Sequence, residues 1–205
     1  MGEAAREFME NRMKVTPAAG DALLVTDVQN DFLPGGSLAV PGGDEIIPVL
    51  NRYIGYFHTR GLPIYATRDW HPADHCSFLQ RGGQWPPHCI AGTSGAAFSS
   101  SLDLPSDAYI ISKAIDREKE AYSAFEGTVL NTLLCSSSIH RLFVGGLTAE
   151  YCVRLTVEDA LRHHYTTFVL KDAIKAIHAN SNLGQALEEM KQLGAIPVDF
   201  ESLAA

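Results

Sequence analysis

Cysteine, cationic side chains and long apolar runs are all scarce in this chain, and each shortage closes off a class of function. Four cysteines in 205 residues, at positions 76, 89, 135 and 152, fall below the density of a disulfide-stapled secreted domain. Reduced thiols in a cytoplasmic setting are therefore expected. Lys and Arg number 16 against 24 Asp and Glu, a formal net charge of −8. That balance argues against a broad nucleic-acid or anionic-membrane surface and favours a small, weakly charged partner. No segment approaches the roughly 20 apolar residues of a membrane span. The opening residues M-G-E-A-A-R-E-F-M-E-N-R-M-K carry no signal-type apolar core, and Arg6 stands where myristoylation wants Ser or Thr. Neither nucleic acid nor membrane is expected as a partner, and a homo-oligomer is left open.

What is present reads as an ordinary globular chain, 46% hydrophobic and 20% charged, long enough for one full core. Residues 1–20 form an extension whose segment 3–14 has amphipathic spacing, with Ala5, Phe8, Met9 and Met13 on one side. Residues 21–205 read as a single domain. Apolar runs predict strands at 22–28, 63–67, 108–112, 139–144, 166–170 and 196–198. Between them, Asp44 is placed to cap a helix with Ile46, Leu50, Tyr53 and Phe57 inward, and residues 128–134 suit a short helix. Val153, Val157, Ala160 and Leu161 mark a third, and residues 181–193 a fourth with Leu183, Ala186, Leu187, Met190 and Leu193 inward. Alternating strands and helices predict a three-layer α/β/α, Rossmann-like fold around a six-stranded, mostly parallel sheet. Residues 79–107, rich in Gly, Pro and Ser, are too long for a simple connection and so read as functional.

The chemistry collects at predicted strand ends, which share one edge of a parallel sheet and are where such folds bind ligands. Gly145 and Gly146 read as a tight turn leading to Cys152 in the first turn of a helix. That position offers free N–H groups and a positive dipole end, which favour thiolate over thiol. A buried structural cysteine is the alternative. Asp27 and Lys113 follow other strands; singly they would be a cap and a solvated cation, but with Cys152 they form a base, a cation and a nucleophile. Asp69 and His71, two apart in an extended segment, point the same way, and His88 arrives from the long loop. Two imidazoles and a carboxylate can hold one divalent ion with positions to spare, zinc, iron or manganese. His75 is a further candidate, as ligand or as support. A structural zinc site on Cys76, His88 and Cys89 fits poorly, since their spacing matches no zinc ribbon.

Asp27–Phe32 (D-V-Q-N-D-F), Arg68–Phe78 (R-D-W-H-P-A-D-H-C-S-F), Trp85–Cys89 (W-P-P-H-C), Ala121–Gly127 (A-Y-S-A-F-E-G) and the Cys152 turn together resemble the nicotinamidase/pyrazinamidase family of isochorismatase-like cysteine hydrolases. The likeness runs in family order from residue 22 to about 165. It implies that Cys152 attacks the carboxamide of nicotinamide in NAD salvage, with Asp27 moving the proton and Lys113 holding both charges. It further implies an oxyanion hole from the Thr148 and Cys152 N–H groups, a cis Leu147–Thr148 peptide, and a ring sandwich of Phe32, Trp85 and Tyr122. One ion on Asp69, His71 and His88, zinc before iron or manganese, would bind the pyridine nitrogen. Two departures from the family pattern stand out: Glu150 in place of the usual Asp, and Ala114 where Gly often follows the lysine. Another amidohydrolase of the superfamily, acting on a different carboxamide or an N-carbamoyl group, is the competing reading; a non-catalytic scaffold is a third.

Overall fold

The computed structural model describes residues 14–177 and 182–203, so the helix expected over 3–14 lies almost wholly outside the described residues. Six strands run β1 (Asp21–Thr26), β2 (Ile64–Asp69), β3 (Tyr109–Lys113), β4 (Arg141–Leu147), β5 (Thr166–Lys175) and β6 (Ile196–Val198). Every pairing is parallel, and the spatial order is β3-β2-β1-β4-β5-β6. Helices α1 (Ile47–Thr59), α2 (Leu130–Ser136), α3 (Arg154–Arg162) and α4 (Asn182–Gln192) complete the layers. No helix among the described residues is long and apolar enough to cross a membrane.

Side chains alternate across the sheet as the period of two requires. Leu23 and Val25 of β1 join α1 residues Leu50, Tyr53 and Phe57 in one core, while Ala22 and Leu24 face a second core with Val153, Val157 and Met190. The α1 apolar residues recur every three or four positions, and Phe57 meets Phe143 of β4 edge to face at 5.2 Å. Asp44 does not cap this helix. It lies inside a preceding 3₁₀ turn, Gly43–Ile46, which carries no side-chain cap. Leu193, expected inward, is 48% exposed, because α4 stops at Gln192.

Gly145 and Gly146 make no turn either: β4 runs straight through them to Leu147. The register with β5 shifts between Val144 and Gly146, and Gly146 takes φ +124°. A Cβ at Gly146 would sit 2.1 Å from the Thr26 carbonyl oxygen, so the pair permits close backbone approach rather than reversal.

Candidate active site

Strands β1 and β4 are neighbours although their connections leave in opposite directions, and the crevice at such a switch point opens at the strand carboxyl ends. Asp27 leaves β1 in a left-handed conformation, φ +51°. Asp69 and Lys113 are the last residues of β2 and β3 and are register partners. Cys152 lies in a π-helical turn, Ala149–Val153, which is separated from β4 by Thr148 alone and leads into α3.

The Lys113 side chain is fully buried and its ammonium is the hub of the site. Its Nζ donates to Asp69 Oδ1 at 2.5 Å, to the Ala121 carbonyl at 3.3 Å and to Cys152 Sγ at 3.5 Å, and lies 3.1 Å from Asp27 Oδ2. The Thr67 hydroxyl donates to Asp27 Oδ1 at 2.6 Å. Sequence reasoning placed Lys113 with Asp27 and Cys152 but missed its pairing with Asp69, which depends on β2 and β3 being adjacent. Asp27, Asp69 and Cys152 form an acidic cluster that could in principle hold an ion, but the ammonium already serves as their shared cation.

Burial and the charged neighbours together set the protonation states. Burial pushes Cys152 well above the usual thiol range, Lys113 pulls it back, and Asp27 and Asp69 add to the rise. Removal from water thus outweighs the ammonium, against the expectation of a favoured thiolate. Burial and Asp69 raise Asp27 against the opposing pull of Lys113 and Thr67. For Asp69 burial acts upward too, yet Lys113, His71 and His88 together hold its carboxyl below the ordinary value. Burial acts to lower Lys113, but Asp27 and Asp69 outweigh it and keep the ammonium charged.

Asp69, His71 and His88 each bring a ligand atom within 4.8 Å of the others, all three buried. Both ring nitrogens of His71 are buried without a hydrogen-bond partner, a costly arrangement that a bound cation would relieve at one of the two. Burial pushes His71 down to about 4, so its imidazole is neutral, the form that ligates metals. His88 Nδ1 donates to the Pro86 carbonyl at 2.8 Å, which leaves Nε2 as its electron-pair donor. The residues present therefore fit a divalent ion. His75 stands apart from the set. Its Nδ1 pairs with the Ser77 hydroxyl at 2.8 Å and its Nε2 with the Lys119 carbonyl at 2.9 Å, so both nitrogens are committed to holding loops together.

Cys152, Asp69, His71 and His88 all face one pocket of about 380 Å³ including its open mouth. Phe32, Trp85 and Tyr122 line it as expected from the resemblance, and Thr148 joins them. Trp85 Nε1 and Gln84 Nε2 both donate to the Tyr122 hydroxyl at 2.9 Å, fixing the aromatic wall. Tyr151 extends that wall, 5.2 Å from Trp85 and 5.5 Å from Tyr122 between ring centroids. Tyr151, Leu38, Glu120 and Ile177 were not foreseen. Tyr151 was findable as the neighbour of Cys152; Leu38 and Ile177 come from loops that carry no chemical signal. The Leu147–Thr148 peptide is cis, and the Tyr151 and Val153 N–H groups both donate to the Thr148 carbonyl, at 3.2 and 3.1 Å.

The isochorismatase domain profile matches residues 21–202. The nicotinamidase of Acinetobacter baylyi is 38% identical over 209 residues, covering 91% of this chain and 95% of its own length. The chain belongs to the isochorismatase family. Among solved structures, the pyrazinamidase of Pyrococcus horikoshii in complex with zinc superposes with a TM-score of 0.86 at 51% identity, covering 88% of this chain and 99% of that one. PnC1 from L. infantum in complex with nicotinate gives 0.87 at 33% identity, covering 94% and 99%. Within this isochorismatase fold Ala114 has φ +52°, a conformation where glycine carries no Cβ penalty. Glu150 sits half-buried in the first turn of the π-helical segment, where an acidic side chain complements the helix dipole.

Proposed function

We propose that this protein is a nicotinamidase, hydrolysing nicotinamide, and pyrazinamide with it, to the carboxylate and ammonia through a thioester on Cys152. The observation that carries this reading is the buried Lys113 ammonium joining Asp27, Asp69 and Cys152 beside a set of ion ligands in one aromatic pocket. The names of the relatives support it.

At rest the thiol is protonated. As Sγ attacks the carboxamide carbon, its proton passes to Asp27, whose raised basicity suits it to that task. The carbonyl electrons move onto oxygen, where the N–H groups of Thr148 and Cys152 receive them; donors in a first helical turn lack partners within the helix. The C–N bond then breaks, and the Asp27 proton leaves on the amine as ammonia. Water attacks the thioester, giving one proton back to Asp27, and cleavage of the S–C bond returns the proton to sulfur. Lys113 keeps the one negative charge shared by Asp27 and Cys152 tolerable beside the Asp69 carboxylate and transfers no proton. Phe32, Trp85 and Tyr122 pack against the ring. Asp69, His71 and His88 would hold one divalent ion, with zinc first among the candidates; when bound it supplies a Lewis-acidic anchor for a ring nitrogen.

Ammonia release from nicotinamide, pyrazinamide and benzamide tests the reading. The first two should turn over and benzamide, which lacks the ring nitrogen, should be a poor substrate; equal rates on nicotinamide and benzamide would overturn the anchor. Replacing His71 by Ala should raise KM for nicotinamide more than it lowers kcat, because lost anchoring is lost positioning. His75→Gln separates support from ligation. It should keep the wild-type metal content by elemental analysis, whereas loss of the ion would make His75 a ligand after all.

A further inference from the structure

The segment between Asp27 and Phe32 reaches two other parts of the site. Gln29 is fully buried, and its amide grips one residue at both ends: Oε1 accepts the Asp69 N–H at 2.7 Å and Nε2 donates to the Asp69 carbonyl at 2.8 Å. The same Nε2 donates to the Ala96 carbonyl at 2.9 Å. Holding both the N–H and the C=O of Asp69 pins its main chain from the segment that follows β1, beyond what pairing within the sheet supplies.

Asp31 reaches the opposite flank. Its Oδ2 accepts the Cys89 N–H at 2.7 Å and its Oδ1 the Ser37 N–H at 3.3 Å. Cys89 directly follows His88 and has φ +45°, so the carboxylate fixes a left-handed residue where the long loop delivers that imidazole. Gly95 makes room for this: a Cβ there would lie 2.1 Å from Asp31 Oδ2. Neither Gln29 nor Asp31 lines the pocket.

We propose that Gln29 and Asp31 are positioning residues for the ion site, Gln29 pinning Asp69 and Asp31 pinning the turn that carries His88. One short segment thereby sets the spacing of two ligands that arrive from a strand end and from a loop. The inference rests on the reading of Asp69, His71 and His88 as ion ligands. Groups standing behind ligands typically contribute about 10–100-fold in metal affinity.

The test titrates metal-free wild type, Gln29→Met, Asp31→Asn and Gly95→Ala with cobalt(II), following its visible absorption, and melts each protein with and without the ion. Gly95→Ala displaces the Asp31 carboxylate without altering it. Each variant should bind cobalt about 10–100-fold more weakly, and the gap between its loaded and metal-free melting midpoints should narrow. A merely structural role lowers both midpoints together and leaves the Kd at its wild-type value; that result in the folded variants overturns the proposal. Should Gln29→Met fail to fold, the two variants on the Asp31 side decide by the same criterion. Wild type that binds neither cobalt nor zinc would instead overturn the ion reading beneath it.

Discussion

Cys152→Ala should abolish ammonia release from nicotinamide, a loss of at least about 10⁴-fold, because every covalent step needs that sulfur. The fold should survive. Removing one thiol from a closely packed site leaves a cavity smaller than a methylene pair, a cost of about 1 kcal/mol. Cys135→Ala is the matched control: Cys135 is exposed on α2, its sulfur 3.6 Å from the Tyr165 hydroxyl, and it does not line the pocket. Activity lost in Cys135→Ala and kept in Cys152→Ala would reverse the assignment. Urea midpoints for both variants show whether a change in rate reflects chemistry or unfolding.

Lys113→Met should be nearly as damaging and, in addition, destabilising by about 3–5 kcal/mol near neutral pH, since it strips the shared cation from two buried carboxylates. The pH dependence follows from the directions of the shifts. Asp69 lies below its unfolded value in the wild type, so its contribution is present above about pH 4 and fades as the pH falls through the folded value. Asp27 is raised and acts in the opposite sense: its contribution is present below about pH 4 and fades as the pH rises through the folded value. Without Lys113 both carboxyls rise. The folded variant then binds more protons than the unfolded chain between about pH 4 and neutrality, so its deficit should shrink on acidification. Urea unfolding at about pH 7 and about pH 4.5 measures this, and a deficit independent of pH would sink it. Iodoacetamide labelling of Cys152 should also slow in the variant, because the ammonium is what opposes the upward push on the thiol. Superimposable labelling curves would remove Lys113 from the mechanism.

Much of this was legible in the sequence because a parallel sheet sends every strand's carboxyl end to one edge. Knowing only that Asp27, Asp69, Lys113 and Cys152 follow strands is enough to expect them near one another. Their pairwise contacts were not legible. The Lys113–Asp69 bond needs the lateral order of β2 and β3, and that order is a property of the assembled sheet. The glycine pair misled because glycine serves equally for reversal and for close approach, and only the Thr26 carbonyl on β1 distinguishes the two. His75 stayed open between ligand and support because its second partner, the Lys119 carbonyl, is 44 residues away. The upward push on the thiol was hidden for a similar reason: a helix start is visible locally, whereas burial is not.

Gly146 is a vulnerable target of random mutation. Any side chain there drives its Cβ into the Thr26 carbonyl and prises apart the β1–β4 seam, whose ends carry Asp27 and the Cys152 turn. Such variants would lose activity with every reactive group intact in the chain. A map of inactivating substitutions should accordingly show two foci, one around the pocket and one within the sheet beneath it, and the second should be rich in proteins that reach the cell only as degraded or aggregated material.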